Sequence, residues 1–106
     1  MVGSEVQYAA IDVAGSGDNT LVAAVAGKRI RLLSLFLVSA GTVTARFESG
    51  AGGTALTGQM TLAVNSGFSL NFNPEGWFQT AAGALLNLEL SGAISVDGAL
   101  SYVLVD

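Results

Sequence analysis

Arg29-Ile30-Arg31-Leu32-Leu33-Ser34-Leu35-Phe36-Leu37-Val38-Ser39 decides the fold of this 106-residue chain. It opens as an alternation, Arg29 and Arg31 against Ile30 and Leu32, which is the period-two pattern of a half-buried strand. The alternation gives way to Leu33, Leu35, Phe36, Leu37 and Val38. A run that is apolar at successive positions predicts a central strand whose later half is covered on both faces. Residues 32–38 are also the longest strongly apolar stretch, far short of the roughly 18 residues that a membrane-spanning helix needs.

Outward from this strand the pattern repeats in weaker form. Fourteen glycines and one proline divide the chain into short pieces rich in Val, Leu, Ile, Thr and Phe, as strands separated by turns require. Upstream, residues 6–13 read as a strand, Gly15-Ser16-Gly17-Asp18-Asn19 as a turn, and residues 20–25 as a weaker strand softened by Ala23 and Ala24. Downstream, Ala40-Gly41 reads as a tight turn. In the strand that follows, Val43, Ala45 and Phe47 point inward and Thr42, Thr44, Arg46 and Glu48 outward. Ser49-Gly50-Ala51-Gly52-Gly53 reads as a flexible loop and residues 54–64 as one or two short strands. Phe68, Leu70 and Phe72 mark another strand by period two, and Asn73-Pro74-Glu75-Gly76 a turn. Leu86, Leu88 and Leu90 alternate with Asn87 and Glu89. Asp97-Gly98 is either a hairpin turn or a bulge in one long strand. The unbroken parity of residues 94, 96, 98, 100, 102 and 104 favours the kinked strand. About eight strands and no long helix predict an all-β fold: an antiparallel β-sandwich, jelly-roll-like, forming a single domain over residues 7–106 after an N-terminal arm, residues 1–6.

Composition restricts what such a domain does. The chain is 51% apolar and 11% charged, with four basic and eight acidic side chains, no histidine and no cysteine. Residues 49–74 carry no charge at all. An ordinary domain has about 25% charged residues, so part of the apolar surface is expected to face another protein. A net charge of −4 argues against nucleic acid and against an anionic membrane surface, both of which call for clustered Lys and Arg. The absence of cysteine excludes a disulfide framework and a thiolate metal site and fits a cytosolic assembly compartment. Met1-Val2-Gly3-Ser4-Glu5 shows no basic segment before an apolar run, so no secretory signal is expected.

Catalytic candidates are few. Without histidine the Ser-His-Asp and Cys-His arrangements are impossible within one chain, and the acids are scattered singly, which predicts no enzyme, no cofactor and no metal. Gly50-Ala51-Gly52-Gly53 lacks the Lys-Ser or Lys-Thr and the helix of a phosphate loop. Ser16, Asp18 and Asn19 offer oxygen ligands in a loop, but turn chemistry accounts for them better than calcium. The interface candidates are Arg29, Arg31, Leu35, Phe36, Trp77 and Phe78. Trp77-Phe78 is expected to plug one end of the sandwich or a subunit contact rather than to form a ligand platform. Arg31 would lie diagonal to Glu48 if residues 29–48 form a hairpin, and would not if the two strands belong to opposite sheets.

The order of several segments, Lys28-Arg29-Ile30-Arg31-Leu32-Leu33-Ser34-Leu35, then Thr42-Val43-Thr44-Ala45-Arg46-Phe47-Glu48-Ser49-Gly50, then Asn73-Pro74-Glu75-Gly76-Trp77-Phe78-Gln79-Thr80 and Gly98-Ala99-Leu100-Ser101-Tyr102-Val103, resembles small β-sandwich proteins encoded among the structural genes of tailed bacteriophages. The resemblance covers residues 6–105 and rests on strand and turn residues, with no catalytic signature. It implies a virion structural protein. The leading expectation is a capsid decoration (cement) protein, a homotrimer made in the host cytoplasm and seated on the major capsid protein at the capsid surface. The alternative is a receptor- or glycan-binding knob of a head or tail fibre, with Trp77 as the gripping residue.

Overall fold

Alternation and glycine punctuation resolve into ten strands in the computed structural model, which describes residues 5–106. In chain order they are β1 (Gln7–Val13), β2 (Gly17–Val22), β3 (Arg29–Ser39), β4 (Val43–Ser49), β5 (Thr54–Ala55), β6 (Met60–Leu62), β7 (Gly67–Leu70), β8 (Phe78–Gln79), β9 (Leu86–Leu90) and β10 (Val96–Val105). Of the N-terminal arm, residues 1–4 lie outside the described residues, and Glu5 and Val6 are exposed ahead of β1.

Two five-stranded antiparallel sheets face each other. The first runs β1-β10-β3-β7, with β8 also on β3; the second runs β2-β9-β4-β5, with β6 also on β4. β5 and β6 are two pieces of one broken strand along β4, pairing with Glu48–Ser49 and with residues 43–45. β7 and β8 are likewise two pieces along β3. The ten segments therefore occupy eight strand positions, four in each sheet, in the jelly-roll arrangement expected from the sequence. Leu35, Leu37, Val43, Ala45, Phe47, Leu86, Leu88, Leu90, Val96 and Leu100 fill the space between the sheets.

β3 is central in its sheet but is not covered twice. Ser34 pairs with Ser101 and Leu32 with Tyr102, so Leu33 is an extra residue with no partner on β10. This bulge flips the parity: Ile30 and Leu32 face the core before it, and Leu35 and Leu37 after it. The apolar run comes from that change of face. Phe36 and Val38 point away from the core and are 57% and 51% exposed. The Leu33 carbonyl accepts the Asn73 N–H at 2.9 Å, and the Leu32 carbonyl the Trp77 N–H at 2.9 Å. The bulge thus anchors the excursion between β7 and β8 that carries Trp77.

Asp97-Gly98 does not turn the chain; β10 runs through it and keeps its parity. Gly98 pairs with Ile11 on one side and Leu37 on the other. A Cβ there would lie 1.9 Å from the Phe36 carbonyl oxygen, so glycine is what lets β3 approach this closely. Gly98→Ala is expected to push β3 and β10 apart and to cost about 3 kcal/mol, the upper end for overpacking. Urea unfolding of the variant checks this, and an unchanged midpoint would contradict it.

Several boundaries shift for local reasons. The Asn19 amide donates to the carbonyls of Gly15 and Gly17 at 2.8 and 3.2 Å. This closes the turn early, so β2 begins at Gly17 rather than at residue 20, and it ends at Val22 rather than at residue 25. β7 stops at Leu70, and Phe72 lies in the excursion, exposed. Ile94 belongs to the turn before β10, packed against Gly41. Ala40-Gly41 carries the chain from one sheet to the other, so β3 and β4 form no hairpin and Arg31 does not meet Glu48.

Candidate interaction faces

The outward residues of the second sheet form a polar network. Arg46 on β4 donates to Glu48 at 2.6 Å and lies 3.2 Å from Glu89 on β9. The Asn87 amide donates to Glu48 at 2.9 Å and to Asp18 at 2.8 Å, and its oxygen accepts the Asn19 N–H. Asp18 also accepts the Gly52 N–H from the β4–β5 loop at 3.1 Å. Glu48, expected to point into solvent, does face outward, yet it is 0% exposed, drawn into this network. Burial pushes the Glu48 carboxyl up, but hydrogen bonds from Arg46, Glu89 and Asn87, with the Arg46 charge, outweigh it and leave it below its ordinary value. Glu89 moves the other way, raised by its hydrogen bond to Glu48 and by that group's charge. A glycosidase-like pair needs two carboxyl groups open to substrate; Glu48 has no surface to offer one. Among the described residues no group of three or more acids is placed to hold a metal ion.

The first sheet presents a different outer face. Register places Ala10, Ala99, Phe36 and Ser69 in one row across β1, β10, β3 and β7. Tyr8, Ser101 and Ser34 form the row on one side, and Asp12, Asp97 and Val38 the row on the other. Small residues make the floor, and Tyr8, 79% exposed, Phe36 and Val38 rise from it. Tyr8, Phe36, Ala99 and three serines bound a depression of about 350 Å³. Arg29 and Arg31 sit on this same face beyond the bulge, and Arg31 Nε donates to the Gln79 side chain at 2.9 Å. Of the interface candidates, Arg29, Arg31 and Phe36 therefore share one face. Leu35 is core, 3% exposed. Tyr8, Val38 and Ala99 join this face without a signal of their own in the sequence beyond the parity of Ile11, which places Tyr8 and Ala10 opposite the core.

Asp12 and Asp97 stand directly opposite each other at the border of this face. Desolvation, then the hydrogen bond and charge of Asp12, raise the Asp97 carboxyl above its ordinary value of 3.8. A raised carboxyl favours the protonated folded state, so its cost grows as pH rises from 3.8 through the folded value and is absent below 3.8. Asp97→Asn is expected to raise Tm at pH 7, with the gain vanishing below pH 3.8. Calorimetry across that range checks it; a Tm gain that does not change with pH would contradict it.

Trp77 and Phe78 separate. Phe78 turns inward, its ring centroid 5.2 Å from that of Phe47 and tilted by 39°, and packs against the core. Trp77 stays 47% exposed, with its indole N–H held by the Asn71 carbonyl at 2.9 Å. Beside them a cavity of about 350 Å³ opens between the two broken edge strands. No protein-family model, curated protein or solved structure matches this chain.

Proposed function

We propose that the chain is a non-enzymatic structural subunit that joins copies of itself through the outer face of its first sheet. On this reading it is a trimeric decoration protein seated on the major capsid protein of a tailed-phage head. The observation that carries the self-association is the contrast between the two outer faces. One is a charge-paired network around Arg46 and Glu48. The central row of the other is uncharged, with Tyr8 and Phe36 standing clear of a floor of alanine and serine. Exposed Tyr and Phe side chains are what protein interfaces favour. The choice of a phage capsid rests on the likeness of segment order described for the sequence. A modest contact per copy suffices there, because many copies bind one lattice.

Light scattering on the purified protein, followed by sedimentation with empty phage capsids, tests the reading. A trimer that pellets with capsids is the expected result, and a chain that stays monomeric at high concentration would end the proposal. The fibre-knob reading draws on the half-exposed Trp77. It would gain if a trimer ignored capsids but bound host cells and lost that binding in Trp77→Ala.

A further inference from the structure

Both interrupted strands break on the same side of the sandwich. β5 and β6 are separated by residues 56–59, and β7 and β8 by residues 71–77. Where an unbroken pair of edge strands would close the core, a recess of about 350 Å³ remains. Phe47 forms part of its lining from β4, Met60 from β6 and Leu56 from the break before it, Phe68 and Phe78 from β7 and β8 and Trp77 from the break between them. None of its lining residues is charged.

The lining also dictates the chemistry of an occupant. Its polar side chain other than the Trp77 indole is Thr57, whose hydroxyl already accepts the Phe47 N–H at 3.1 Å and donates to the Gly58 carbonyl at 3.0 Å. The Trp77 N–H is likewise spent on Asn71. A sugar would bury hydroxyls here without partners, which is costly. An ionised ligand would find no counter-charge. An uncharged apolar molecule loses nothing, and aromatic walls favour planar rings in offset or edge-to-face contact. Size narrows the class further: a void of about 150 Å³ takes one benzene, and this recess has more than twice that volume.

We propose that this recess is a binding site for a small, uncharged, two-ring aromatic molecule. The recess opens between the two broken edge strands, whereas the self-association face lies on the outer side of the first sheet. Trp77 is the chain's one tryptophan, so it reports on its own site. Titrating the full-length protein with 1-bromonaphthalene, a heavy-atom quencher, is expected to give saturable loss of Trp77 fluorescence, with an apparent affinity at least tenfold tighter than for one-ring iodobenzene. Met60→Phe and Leu56→Phe each fill the recess from a half-buried position, and each is expected to weaken 1-bromonaphthalene at least tenfold. A thermal unfolding transition for each variant establishes that it is folded, and 1-bromonaphthalene should raise Tm of the parent chain but not of the filled variants. Quenching that stays linear in probe, or is equal in the parent and a folded filled variant, would overturn the proposal.

Discussion

A Leu35→Asp chain will not fold, whereas a Phe36→Asp chain will fold and remain monomeric. The two residues are neighbours on β3 with opposite fates: Leu35 is buried at 3% exposure, and Phe36 stands out at 57%. Placing a carboxylate among Leu37, Val96 and Leu100 leaves it unpaired in an apolar interior. Such a charge costs more than about 4–5 kcal/mol, comparable with the roughly 5–15 kcal/mol that holds a domain together. Phe36→Asp instead changes a surface position beside Ala99 and Ser69, where strand preferences span about 1 kcal/mol. The fold should survive this while the centre of the proposed contact face gains a charge with no partner. Circular dichroism and light scattering on both variants read the result. A folded Leu35→Asp would mean that β3 is misplaced. A Phe36→Asp that still assembles would move the interface off the first sheet.

That pair of neighbours also marks how far the sequence could be read. Period-two alternation located the strands and the core faces of β4, β9 and β10, because a sheet with one wet face writes that pattern directly into its residues. It failed at Leu33. A bulge and a doubly covered strand both produce consecutive apolar residues, and only the pairing of Ser34 with Ser101 and Leu32 with Tyr102 tells them apart. The exposed face is masked by the same ambiguity: a doubly covered strand would bury Phe36 and Val38, and Tyr8, between Gln7 and Ala9, has no aromatic neighbour in sequence to mark a patch. Trp77-Phe78 was half legible. Adjacent aromatics in an extended chain point to opposite sides, so one had to be inward, but which edge stayed open depended on the breaks in β5/β6 and β7/β8. Glu48 was legible as outward but not as buried, since its partner Asn87 lies 39 residues further along the chain.

Glu48 carries the second large expectation. Glu48→Ala should destabilise the fold by about 3 kcal/mol. Removing one partner of a buried ion pair costs about 3–5 kcal/mol, and Arg46, with a third of its side chain in water, can recover some solvation. The Asn87 amide loses one of its two acceptors while Asp18 remains. At roughly 4–8 °C per kcal/mol for a domain near this size, Tm should drop by roughly 12–24 °C. Acid should reproduce part of the loss. The Glu48 carboxyl is held below its ordinary 4.5, so its contribution is fully present above pH 4.5 and disappears as pH falls through the folded value. Glu89 has the opposite sign: raised above 4.5, it costs stability as pH climbs through its folded value. In the parent chain the two carboxyl groups therefore act in opposite directions, and the loss on the acid side is that of Glu48. In Glu48→Ala that acid limb should flatten, because the group whose protonation breaks the Arg46 contact is gone, and Glu89 is no longer raised by its neighbour. Glu48→Gln separates charge from shape: it keeps an oxygen for Arg46 or Asn87 but not for both, so it should fall between the parent and alanine. Urea midpoints measured from pH 3 to 7 for the three proteins decide the matter. If Glu48→Ala keeps both the parent's midpoint at pH 7 and its acid limb, the network contributes no net stability and Glu48 is buried for some other reason.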